Sequence, residues 1–272
     1  MNREELGRAI KAACANLDES PVVVLGSQSI LGSYDTADLP EAVFQSREVD
    51  ILPLSGITNP PAVEEKLLML DARLGENSPF HEHHGFYVEG IHKDVVVLPK
   101  HWDNRLVHFT VADGSSELYG RTGLCLDPVD LCVSKCIAGR EKDHVFVEAL
   151  IRDDIITPSE IVERIDKYGI EWPPTYDSDK DVAVERARNW LENVGKSPAA
   201  ATLDRGDTAT DQGVDQGRDS TESTASAAPQ GHPFTLRQML GGMAAKRSEK
   251  GTTPRLPDNG GRSRDRGEDL SL

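Results

Sequence analysis

Leu6, Ile10, Ala13 and Leu17 recur at helical spacing and predict an amphipathic helix over residues 4–17. After Pro21 the period changes. Four apolar residues, 22–25, end in Gly26-Ser27, the pattern of a buried strand running into a tight turn and a short helix over 28–32. Residues 33–45, with Asp35, Asp38 and Pro40, carry no clear period. Residues 48–54 predict a second strand, with Val49 and Ile51 inward and Glu48 and Asp50 together on the other face. Pro60-Pro61 opens a helix along Val63, Leu67, Leu70 and Leu74. Residues 86–91 and 95–98 predict two short strands joined as a hairpin across His92-Lys93. Loop and strand follow over 102–111, and 124–126 predicts a last short strand.

The chain then turns helical. Asp127-Pro128 places a capping acid before a proline at the first helical position and predicts a helix over 129–138. Gly139 breaks it, and Phe146, Val147, Leu150 and Ile151 form the core face of the next helix. Thr157-Pro158-Ser159-Glu160 opens another, with Ile161, Val162 and Ile165 inward. Beyond Pro173-Pro174, residues 181–194 carry Val184, Ala187, Trp190 and Leu191. From Gly195 onward Ser, Thr, Asp, Gly, Gln and Ala dominate and predict disorder. Within that tail, Phe234, Leu236, Met239, Leu240 and Met243 predict a short helix over 234–247. The expected fold class is α/β (α+β): a small mixed sheet flanked by helices over 1–126, a helical subdomain over 127–194 that completes a cleft, and a mostly disordered tail over 195–272.

Composition narrows the functions. The 272 residues carry a net charge of −16, with 38% apolar and 5% aromatic residues. An acidic chain repels polyanions at long range, so no DNA partner is expected. No apolar stretch is long enough to span a membrane, and residues 1–10 are too charged for a signal peptide. Cys14, Cys125, Cys132 and Cys136 have no paired spacing; free thiols in a reducing cytoplasm are expected. His81, Glu82, His83 and His84 raise a zinc site, but neighbours in sequence cannot all face one ion. The expectation there is a polar loop whose imidazoles bond locally or meet substrate.

The chemistry concentrates elsewhere. Two carboxylates side by side, Glu48 and Asp50, repel unless a cation lies between them, and a divalent metal suits carboxylate oxygens. Gly26 lets a backbone approach a phosphate and Ser27 adds a hydroxyl. Lys135 falls beside the apolar seam of its helix, where the amine loses hydration unless it meets an anion or snorkels to water.

In order, the chain presents Gly26-Ser27, Glu48-x-Asp50, a Phe80-His-Glu-x-x-Gly-Phe-Tyr-Val segment, Leu98-Pro99, Asp127-Pro128 and a Lys135-x-x-Ala-Gly-Arg140-x-x-Asp143 run. This series resembles the nucleotidyltransferase superfold, and within it the uncharacterised bacterial relatives of the AbiEii abortive-infection toxins, over residues 20–152. The resemblance implies a nucleotide site at Gly26, Ser27, Lys135 and Arg140. It implies catalytic roles for Glu48, Asp50, Lys135 and Asp143, and Mg²⁺ or Mn²⁺ on Glu48 and Asp50. A third metal carboxylate is common in the superfold, with Asp94 or Glu89 as candidates. The implied activity is transfer of a nucleotide from an NTP to RNA, such as tRNA, or to a protein, in a toxin–antitoxin or phage-defence setting with a cognate antitoxin. Glu48 stands where the family has Asp, and the gap from Ser27 to Glu48 is longer than the compact pattern. The alternative is therefore a catalytically degenerate nucleotide-binding or partner-binding protein of the same fold. The activity would require the acid strand and the Lys135 helix to face one cleft with Gly26-Ser27 at its floor.

Overall fold

The computed structural model describes residues 1–110, 118 and 120–194. The strands in chain order are β1 (Val22–Leu25), β2 (Glu48–Pro53), β3 (Tyr87–Gly90), β4 (Leu98–Pro99), β5 (Val107–His108), β6 (Gly123–Cys125) and β7 (Ile170–Glu171). The helices are α1 (Arg3–Leu17), α2 (Ser55–Thr58), α3 (Glu64–Leu74), α4 (Pro79–His84), α5 (Pro128–Ala138), α6 (Glu141–Arg152), α7 (Pro158–Tyr168) and α8 (Lys180–Val194). The predicted disordered tail and its short helix over 234–247 lie outside the described residues.

All four side chains of β1 are buried, which suits a central strand covered on both faces. It lies in the middle of a five-stranded mixed sheet of order β3-β2-β1-β6-β5. β2 runs antiparallel to β1, β6 parallel to β1, β3 parallel to β2 and β5 antiparallel to β6. α1 packs its buried Leu6, Ile10, Ala13 and Leu17 against the sheet and α3. Its start is fixed by Asn2, whose side chain accepts the Glu5 amide while Glu5 accepts the Asn2 amide.

The hairpin expected across His92-Lys93 does not form. β3 instead joins the free side of β2 in parallel, Val88 extending the buried row that begins at Val49. The Asp71 carboxylate on α3 accepts the Gly90 amide at 2.8 Å and closes that strand. The His92 side chain then accepts the Asp94 amide at 3.2 Å, and residues 93–95 form a 3-10 turn that leads away. β4 pairs with β7, so 124–126 does not hold the last strand. The turn at Ser27–Gly32 is a 3-10 helix, and the irregular 33–45 segment contains two more, with Val43 buried.

The centre of the helical half is α5. The Asp127 carboxylate accepts the amides of Val129 and Asp130 at 3.0 and 3.1 Å, Pro128 takes the first helical position, and Gly139 ends the helix at φ 65. Leu131, Cys132, Val133, Cys136 and Ile137 are all buried, each such side chain contributing about 1.5–3 kcal/mol if fully removed from water. α6, α7 and α8 surround α5, and it also meets the Ser27–Gly32 turn. One hydrophobic cluster therefore runs through both halves that the sequence suggests, from Leu6 to Leu191. Asp130, fully buried, is held by Arg105 at 2.8 Å and by Arg164, which also reaches Asp127 at 2.9 Å. Among the described residues no helix is long and apolar enough to cross a membrane.

Candidate active site

β2 carries Glu48 and Asp50 on one face by strand alternation. The parallel register with β3 sets Tyr87 opposite Glu48 and Glu89 opposite Asp50, so both join that face. Glu48, Asp50 and Glu89 each offer a carboxylate oxygen, and these lie within 4.8 Å of one another. The Tyr87 hydroxyl donates to Glu48 Oε2 at 3.3 Å. Asp94, expected as a third metal carboxylate, sits instead on the 93–95 turn, 3.5 Å from His92 Nδ1, with its carbonyl accepting from Thr175. Glu89 instead stands beside Glu48 and Asp50, where the three could hold a metal.

Opposite the trio lies the end of β1. Gly26 adopts φ 60 and ψ −165, a region open essentially to glycine alone. A Cβ there would stand 1.7 Å from Asp50 Oδ2. The chain thus presses its backbone against the carboxylate where any side chain would intrude. Ser27 follows, and its hydroxyl accepts from Lys135 Nζ at 3.0 Å. Lys135 is 8% exposed, so its amine is not in water; it ion-pairs with Asp143 Oδ1 at 3.0 Å and lies 4.4 Å from the Phe146 ring centre. Arg140 holds the other side of Asp143, through Nε and, at 3.2 Å, through its terminal nitrogen. Gly26, Ser27, Lys135, Arg140 and Asp143 are therefore brought to the carboxylate pair from three separate segments.

The charges are strongly coupled. Burial and the neighbouring Glu48 carboxylate push Asp50 up to about 8. Burial and Glu48 push Glu89 up to about 9. Burial acts to raise Glu48 too, but hydrogen bonds from Glu89 and Asp50 and the charge of Lys142 outweigh it and hold Glu48 below the usual range. Asp143 follows the same logic: burial acts upward, and Arg140 and Lys135 win, holding it ionised. Without a cation Asp50 and Glu89 keep protons at neutral pH while Glu48 is ionised; a bound cation would replace those protons. Carboxylate oxygens are hard donors and fit Mg²⁺ or Mn²⁺ rather than a soft metal.

The histidine segment is helix α4 rather than a loop. Ser78 caps it by accepting the His81 amide at 3.2 Å, and Pro79 takes the first helical position. His81 Nδ1 accepts the Asn77 amide at 3.0 Å, and its ring packs edge-on against Tyr87, 5.0 Å between centres. His84 packs tilted against Phe80 and Phe86 and edge-on against His83. The signal for Tyr87 and Glu89 in the sequence is their alternation with Val88. Which strand they pair with is not local information.

Comparison with known protein families, with characterised proteins and with solved structures gives no match for this chain.

Proposed function

We propose that the protein is a nucleotidyltransferase that moves a nucleotide from an NTP to an RNA, such as tRNA, or to a protein. The observation that carries this reading is the juxtaposition of the Glu48/Asp50/Glu89 trio with Gly26-Ser27 and the Lys135–Asp143–Arg140 cluster. The trio would hold Mg²⁺ or Mn²⁺, which supplies charge neutralisation at the phosphates. Gly26 lets the backbone close against the Asp50 carboxylate, and Ser27 offers its hydroxyl beside it. Lys135 and Arg140 bring positive charge to where the departing pyrophosphate gathers negative charge. Asp143 holds both cations in place through two separate oxygens. Glu89, rather than Asp94, completes the carboxylate set in this reading.

The four cysteines are buried and unpaired, which supports a reducing compartment such as the cytoplasm. A toxin–antitoxin or phage-defence role, with a cognate antitoxin, belongs to the same reading. The test is incubation of the pure protein with each labelled NTP, Mg²⁺, total tRNA and cell lysate. Label on RNA or protein that Asp50→Asn abolishes supports transfer. Saturable nucleotide binding with no label on any acceptor would replace it by the degenerate, nucleotide-sensing reading. The Glu48 side chain and the long gap from Ser27 to Glu48 are the features that reading draws on.

A further inference from the structure

Glu48 has one more rotatable bond than aspartate, so its carboxylate reaches further from the strand and has more positions to choose among. Tyr87 supplies the constraint. Its hydroxyl donates to Glu48 Oε2 at 3.3 Å from the directly opposite position on β3. Tyr87 is itself held on three sides. Its amide donates to the Arg47 carbonyl at 3.0 Å, Val88 beyond it is fully buried, and the His81 ring packs edge-on against its ring at 61°. His81 in turn is pinned by the Asn77 amide on Nδ1, at the first turn of a helix capped by Ser78. The Ser78–Gly85 segment is otherwise unused by the proposed chemistry, yet it reaches the carboxylate trio through this chain of contacts.

We propose that Tyr87 is a positioning residue for Glu48, buttressed by His81 on α4, and that it selects the orientation in which the longer glutamate arm serves as a metal ligand. The inference rests on the metal reading of the trio given above. It accounts for a glutamate at this position without loss of metal binding: the hydroxyl supplies the order that the shorter aspartate arm would have by itself. A phenolic hydroxyl suits the task because it donates to a carboxylate and stays protonated beside it. Partners that orient metal ligands in this way commonly change metal affinity 10–100-fold when removed.

The test is Mn²⁺ binding to the full chain, titrated by electron paramagnetic resonance, with thermal unfolding as a control for folding. Tyr87→Phe keeps the ring and its packing on His81, and is expected to weaken Mn²⁺ binding about 10-fold with an unchanged melting profile. In a Glu48→Asp background the arm no longer reaches Tyr87, so adding Tyr87→Phe is expected to change affinity less than 2-fold. A Tyr87→Phe protein that binds Mn²⁺ as the wild type does, while Glu48→Gln binds weakly, overturns the positioning role and leaves the metal site standing. Equal 10-fold losses on Tyr87→Phe in both backgrounds overturn it as well, because the effect would not pass through Glu48. Absence of Mn²⁺ binding by the wild type overturns the metal reading and this inference with it.

Discussion

Asp50→Asn should make the metal-free protein more stable at high pH while removing its response to Mg²⁺. In the folded protein Asp50 is raised from 3.8 to about 8, by burial first and the Glu48 carboxylate second. A carboxyl raised on folding stabilises the fold fully below its unfolded value and loses that contribution as pH rises through its folded value. The window is therefore pH 4 to 8 for Asp50, and Glu89, raised from 4.5 to about 9, extends it upward. A proton kept by the folded state and lost by the unfolded one is worth about 1.4 kcal/mol per pH unit, or about 4 kcal/mol between pH 5 and 8. Asp50 keeps some exposed surface, and solvent screening brings the figure to about 2 kcal/mol. At about 2–4 °C per kcal/mol, the wild-type melting temperature in EDTA should fall about 4–8 °C more than that of Asp50→Asn over that window. Mg²⁺ at a hundred times its dissociation constant should return about 2.7 kcal/mol to the wild type and nothing to the variant. Thermal unfolding at pH 5, 6, 7 and 8, with EDTA or Mg²⁺, reads both effects. Parallel pH curves for the two proteins, or an equal Mg²⁺ shift in both, would refute the coupling of Asp50 to a metal-binding trio.

Lys135→Ala should abolish nucleotide transfer, measured with the labelled NTP, and Lys135→Ala with Asp50→Asn should be no worse than either alone, because groups acting as a unit are not additive. The same change breaks a buried pair with Asp143, but Arg140 remains on that carboxylate, so a stability loss of about 1–3 kcal/mol by urea unfolding is expected, below the cost of an orphaned charge. Gly26→Ala should cost about 1–3 kcal/mol from backbone strain alone and weaken Mn²⁺ binding in parallel, since its Cβ would displace Asp50; unchanged Mn²⁺ affinity would count against the close approach.

What could be read from the sequence was local. α1, β1, β2 and α5 follow from periods and caps that act within a few residues: Leu6 to Leu17, the apolar run at 22–25, the alternation at 48–52, and Asp127-Pro128. The pairing of β3 could not be read this way. Tyr87-Val-Glu-Gly90 is equally consistent with a hairpin to the next strand and with a parallel partner far back in the chain, and tertiary packing on α3 decides. That one choice moves Glu89 into the site and leaves Asp94 outside it. α4 was hidden because six residues, three of them histidine, give too little pattern to separate helix from loop, although Ser78-Pro79 is a start signal. The Arg105–Asp130–Arg164 network was hidden too, since its members lie on three distant segments.

Charge balance gives the sharpest demand on the site. Four carboxylates, Glu48, Asp50, Glu89 and Asp143, gather near two cations, Lys135 and Arg140. With all of them ionised the cluster is two charges negative, the charge of one divalent ion. Above about pH 9, where Asp50 and Glu89 have lost the protons they keep without a cation, a triphosphate arriving without a metal meets that excess directly. A single charge pair about 5 Å apart at an effective dielectric of about 20 contributes about 3 kcal/mol of repulsion, and the nearest phosphate faces more than one carboxylate. At about pH 9.5, nucleotide binding should therefore be weaker by at least about 100-fold in EDTA than in Mg²⁺. Neutralising the trio as Glu48→Gln, Asp50→Asn and Glu89→Gln should restore part of the metal-free binding, because Lys135 and Arg140 then act unopposed. The variant should at the same time lose metal dependence. A fluorescent NTP analogue titrated into both proteins, with Mg²⁺ and with EDTA, separates the cases. If the wild type binds nucleotide equally well in EDTA at that pH, the carboxylates do not face the phosphates and the trio has another task.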